Sequence, residues 1–65
     1  MSATMTPIPA LFTVKAAAAY LSLGRSTLYE LMAAQELPYV KVGRARRLRR
    51  AELDAFAARL EPQTN

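Results

Sequence analysis

A mainly α-helical domain carrying one small β-hairpin is the fold class this sequence predicts, and three observations predict it. Apolar residues recur at helical spacing in three separate segments. Between the second and third lies KVGRARRLRR, residues 41–50, where basic and apolar residues are interleaved around a glycine, as a short hairpin needs. The chain has 65 residues, with no cysteine and no histidine, so it holds one domain at most and lacks both a disulfide framework and a conventional zinc site.

Taken in order, residues 1–10, MSATMTPIPA, hold Pro7 and Pro9 and no periodic pattern, and are expected to form a flexible arm. The domain itself is expected over residues 11–61, with 62–65 frayed. Thr13 is placed to cap a first helix, because Val14, Ala17, Ala18 and Leu21 then fall at i, i+3, i+4 and i+7. The alanines let a second helix approach closely. SLGR, residues 22–25, interrupts the pattern, and a second stripe of Leu28, Leu31 and Met32 predicts a helix from about Arg25 to Gln35. Leu37 and Pro38 are expected to end it, since the residue before a proline is pushed out of the α region. Two short helices joined by a tight turn containing glycine suggest a helix-turn-helix.

Residues 39–42, YVKV, alternate as a strand does, GRA turns the chain, and residues 46–49, RRLR, return with Leu48 inward. Val40, Val42 and Leu48 are expected on one buried face. A third helix is predicted over about Ala51 to Leu60, with Leu53, Phe56, Ala57 and Leu60 on its apolar side. Glu52 and Asp54 are assigned to its first turn, where the helix dipole favours negative charge.

Charge narrows the function. The net charge is +4 and the pI about 10.1, which favours a polyanionic partner, nucleic acid first and an acidic membrane surface second. Residues 41–50 hold six of the nine basic side chains and no acid. The longest apolar run, AAAAYL, is far short of the ~20 residues that span a bilayer, and the N-terminus lacks the basic start of a signal peptide, so no membrane partner and a cytoplasmic location are expected. Tyr20, inside that run, is left open between a DNA contact and the edge of the core. An enzyme is not expected. Ser22 or Ser26 would need a base, no histidine exists, the five acids show no paired arrangement, and no glycine-rich phosphate loop is present. No cofactor and no metal are expected either.

On the second helix the outward residues are Arg25, Ser26, Thr27, Tyr29, Glu30 and Ala33, opposite the apolar stripe. Ser26 and Thr27 can bond phosphate beside the free N–H groups of a helix start, Arg25 can reach phosphate or guanine, and Tyr29 offers a hydroxyl. In the hairpin, Lys41, Arg44, Arg46, Arg47 and Arg49 are the candidate phosphate and minor-groove contacts, with Arg44 at the tip.

Residues 12–56 resemble the small winged-helix proteins of the excisionase type, relatives of the MerR DNA-binding domain. The resemblance rests on TVKxAAxYL, RSTLYxL, LPxVKVGR and RxLRRxELDAF, four motifs in order at tight spacing. It implies a winged helix-turn-helix of three helices and a two-stranded wing, with the second helix in the major groove and the wing on the backbone or adjacent minor groove. Excisionases come from phages, plasmids and integrative elements and steer a tyrosine integrase toward excision by binding and bending attachment-site DNA. The implied partners are double-stranded DNA, a tyrosine integrase and, through cooperative self-association on DNA, further copies of the chain. Other family members are small transcriptional regulators, which is the alternative reading; a basic protein-interaction or membrane-surface module is the remote one. The chain departs from the family pattern at three positions. Gly24 stands where a serine usually caps the second helix, Glu30 where a basic residue is common, and Arg46 where the wing often has an aromatic residue.

Overall fold

The computed structural model describes residues 9–63. Its elements are β1 (Leu11–Phe12), α1 (Val14–Leu21), α2 (Arg25–Ala33), β2 (Val40–Val42), β3 (Ala45–Arg49) and α3 (Arg50–Arg59). Three helices pack on a small antiparallel sheet of order β1-β3-β2, and the fold is a winged helix-turn-helix. The expected arm over 1–10 lies outside the described residues except for Pro9 and Ala10, and the expected frayed end over 62–65 except for Pro62 and Gln63.

The helix starts follow the sequence reading. Thr13 is extended and its hydroxyl accepts from the Ala16 N–H at 3.0 Å, which satisfies one of the orphan donors of α1. Ala17 and Ala18 are buried, and Val14 and Leu21 pack at the edge of the core. The turn into α2 is built on Ser22, at φ 57, with the Leu23 N–H bonded back to the Ala18 carbonyl at 2.8 Å. Gly24 caps α2 in extended conformation and supplies no side-chain hydrogen bond.

The end of α2 departs from expectation. Instead of running to Gln35 and stopping against Leu37 and Pro38, the helix stops at Ala33, because Gln35 turns left-handed at φ 62. The Gln35 N–H then bonds to the Met32 carbonyl at 3.1 Å and the Glu36 N–H to the Leu31 carbonyl at 2.9 Å, the pair of backward bonds that closes a Schellman motif. The reversal sends Leu37 into the core, fully buried with Leu28, Leu48 and Leu53.

The hairpin corrects the sequence reading by one residue. The turn is two residues long, Gly43 and Arg44, rather than the three of GRA, and Val42 pairs with Ala45, Lys41 with Arg46, and Val40 with Arg47. Gly43 has φ 65, and glycine at the first turn position is what a type II′ hairpin loop requires. Directly opposed residues share a face, so Val40 and Val42 lie on the side away from Leu48, and Val42 is 59% exposed. A one-residue slip in register exchanges the two faces of a strand. What anchors the hairpin is Leu48, which pairs with Phe12 of β1 inside the core. Strand β1 itself was not expected: two residues, LF, are too short to show a period.

Helix α3 buries Leu53 and Phe56 but not Ala57 or Leu60. Leu60 is the extended C-cap residue at ψ 137 and is 61% exposed, so the expected i+7 position is no longer on the helix. Glu52 is the one acid in the first turn. Asp54 lies further on, where it accepts a hydrogen bond from Tyr20 at 2.5 Å. The Tyr20 ring sits 4.9 Å from that of Phe12, so Tyr20 lies at the edge of the core and ties α1 to α3. Among the described residues no helix is long and apolar enough to cross a membrane, and no group of acidic residues is arranged to hold a metal ion.

Candidate nucleic-acid interface

The sheet rests on α1 and α3, while α2 packs on α1. That arrangement leaves a groove of about 540 Å³ between the start of α1, the exposed side of α2 and the hairpin, lined by Val14, Lys15, Tyr29, Arg44, Arg46 and Arg47. Four of the six lining residues are cationic and none is acidic. Such a concave basic surface focuses a positive potential on whatever enters it.

Each cation is placed by its element. Arg44 projects from the hairpin tip and is exposed. Arg47, half-buried on β3, donates from Nη1 to the Arg46 carbonyl at 2.8 Å, which fixes the guanidinium while leaving other donors available. Arg46 is half-buried as well, its guanidinium carbon 4.6 Å from the Tyr39 ring centroid and 5.9 Å from that of Tyr29. Lys15 comes from the first turn of α1.

Other candidates stand apart from the groove. Arg25, Ser26 and Glu30 are exposed on α2, and Thr27 is partly buried at its start. Helix periodicity places Ser26, Tyr29, Glu30 and Ala33 on one stripe, away from the buried Leu28 and Met32. Lys41 is exposed and directly opposite Arg46, a like-charged cross-strand pair that is unfavourable by itself. Arg49 turns from the groove: it pairs with Leu11 in the sheet, and its Nη2 lies 3.3 Å from Glu52 Oε2 in a largely exposed ion pair. Such a pair contributes about 0–1 kcal/mol.

Two residues escaped the sequence reading. Lys15 had a signal, since a cation in the first turn of a helix is opposed by the macrodipole and so calls for another explanation. Tyr39 had none. As part of YVKV it read as a strand residue, and only the fold shows its ring against Arg46.

Residues 11–61 match the family model described as "Helix-turn-helix domain". A protein of Saccharopolyspora erythraea named "Probable excisionase" is 44% identical to the chain over 62 residues, which cover 95% of this chain and 63% of that protein. The chain therefore spans somewhat under two thirds of the length of this curated relative. No solved structure matches.

Proposed function

The chain belongs to the helix-turn-helix domain family, and on that premise we propose that it binds specific double-stranded DNA as an excisionase, bending attachment-site DNA for a tyrosine integrase. The observation that carries DNA binding is the groove, four cations and no acid between α2 and the hairpin. Its curvature suits a phosphate backbone held between a helix lying in the major groove and a wing lying beside it.

In this reading Arg47, Lys15 and Lys41 meet phosphate oxygens, and Arg44 at the tip reaches the neighbouring minor groove. Ser26 and Thr27, with the uncapped N–H groups behind Gly24, bind a further phosphate at the start of α2. Arg25 and Glu30 read bases: an arginine bonds guanine at O6 and N7, and a carboxylate accepts from the cytosine amine. Tyr29 donates its hydroxyl to the backbone. Excision is the role favoured by the resemblance to the relative named "Probable excisionase". A wing and a helix that grip one duplex from two grooves favour a bent path for it.

The test is excision of a marked attachment-site substrate by its integrase, with and without this protein. Excision that depends on the protein supports the proposal. Equal excision without it, together with protection of promoter sequence alone, would assign the chain to transcriptional control instead.

A further inference from the structure

Resting on the duplex-DNA reading above, we propose that Arg46 is a positioning residue: it latches the hairpin to α2 by stacking on Tyr39 and Tyr29, and so sets the shape of the groove instead of contacting phosphate itself.

Arg46 is a groove cation whose charge is engaged within the protein. Its guanidinium meets two ring faces, Tyr39 at 4.6 Å and Tyr29 at 5.9 Å, within the range of cation–π attraction. The rings come from different places. Tyr29 is on α2 and Tyr39 lies just before β2, so one side chain on β3 joins the recognition helix to both sides of the hairpin. Among the described residues no carboxylate pairs with it, and Lys41 stands directly opposite. A half-buried cation with a like-charged neighbour is stabilised here by the negative faces of the rings.

Core packing of Leu28 and Met32 with Leu48 sets the base of the groove, and the latch acts toward the exposed hairpin tip, beyond that core. The sheet leans on α1 and α3, and α2 leans on α1. The walls of the groove, Tyr29 on one side and Arg44 and Arg47 on the other, are bridged by Arg46. With the bridge removed, the cations stay but their spacing from α2 loosens. Affinity then falls through lost pre-organisation, with the number of phosphate contacts unchanged.

Charge and stacking can be separated by substitution. Arg46→Phe keeps a flat stacking group and removes the charge, whereas Arg46→Lys keeps the charge and loses the planar guanidinium. Binding of the full chain to its duplex site is measured across a salt series, with a thermal melt of each variant beside it. The latch predicts that Arg46→Ala weakens binding about 10-fold, the loss of roughly one stacked cation, with an unchanged slope of log K against log salt. It also predicts that Arg46→Phe restores most of the loss, and that Tyr39→Leu mimics Arg46→Ala. A slope lower by about 0.9 in Arg46→Ala, with Arg46→Lys near wild type and Arg46→Phe as weak as alanine, would make Arg46 a phosphate contact and overturn the proposal.

A second arm uses the free protein. Backbone amide relaxation should show Gly43 and Arg44 gaining motion relative to α2 in Arg46→Ala and not in Arg46→Phe; equal order in both would overturn the latch. If the unaltered chain binds no duplex, the DNA reading fails and this arm alone decides the latch.

Discussion

Arg47 donates to a backbone carbonyl at 2.8 Å and lines the groove, so it offers phosphate a guanidinium whose position is already set. Arg47→Ala should lower the salt slope of duplex binding by about 0.9, and so should Lys15→Ala if its charge meets the same strand. A slope that stays put removes the residue from the contact set. Glu30 calls for a different readout, because a carboxylate facing DNA is repelled by phosphate unless a base amine satisfies it. Glu30→Gln should raise affinity for nonspecific duplex and shrink the preference between sites that differ at one cytosine by about 1–3 kcal/mol. At Tyr20 the prediction concerns pH. The hydrogen bond to the Asp54 carboxylate raises the phenol above its ordinary value of 10.0. A folded-state pKa raised in this way adds stability that is complete below about pH 10 and is lost as pH rises through the raised value. Tyr20→Phe should therefore be less stable than wild type in denaturant titrations at pH 7, and the gap should close above pH 10.

Among the elements, the turns are where sequence and structure part. The starts of α1 and α2 were legible because a cap and an apolar stripe agree at each, Thr13 with Val14, Ala17 and Ala18, and Gly24 with Leu28 and Met32. The basic hairpin was legible too. Its register was not, because GRA and GR both make acceptable loops, and they differ by one residue that exchanges Val40 and Val42 for Lys41 on the face of Leu48. The end of α2 was read from Pro38, yet the chain reverses earlier, on a glutamine in left-handed conformation. That conformation costs a residue with a side chain about 1–2 kcal/mol. Gln35→Gly should accordingly stabilise the domain by about 1 kcal/mol, which a thermal melt would read as a rise of roughly 4–8 °C. Gly43 makes the opposite prediction. A Cβ there would meet nothing within 4 Å, so the whole cost of Gly43→Ala is its φ of 65, again about 1 kcal/mol but destabilising. A melt unchanged by either substitution would contradict the strain argument.

At the scale of the molecule, the buried core among the described residues carries the fold: Leu28, Leu37, Leu48 and Leu53 are fully enclosed, and Phe12, Ala17, Ala18, Met32 and Phe56 pack with them. Natural domains of this length are stable by roughly 3–10 kcal/mol, and truncating an enclosed leucine costs about 2–5 kcal/mol. Leu48→Ala should leave the chain partly or wholly unfolded, and duplex binding should fail with it. Leu48 carries the wing because it is the apolar residue of β3 that reaches the core; a folded, binding Leu48→Ala would mean the hairpin is held some other way. The same core holds Lys15, Arg44, Arg46 and Arg47 around one groove, on a chain of net charge +4. With Arg47, Lys15 and Lys41 on phosphates and Arg44 beside them, log K should fall against log salt with a slope of roughly 3 to 4. The most direct measurement is a nuclease footprint of the full chain on the DNA around its own gene and any neighbouring integrase and attachment site, at modest salt. Protection of adjacent repeats beside the integrase sites is the predicted result. An unprotected duplex throughout, with the protein bound instead to acidic vesicles, would contradict the assignment of the groove to DNA.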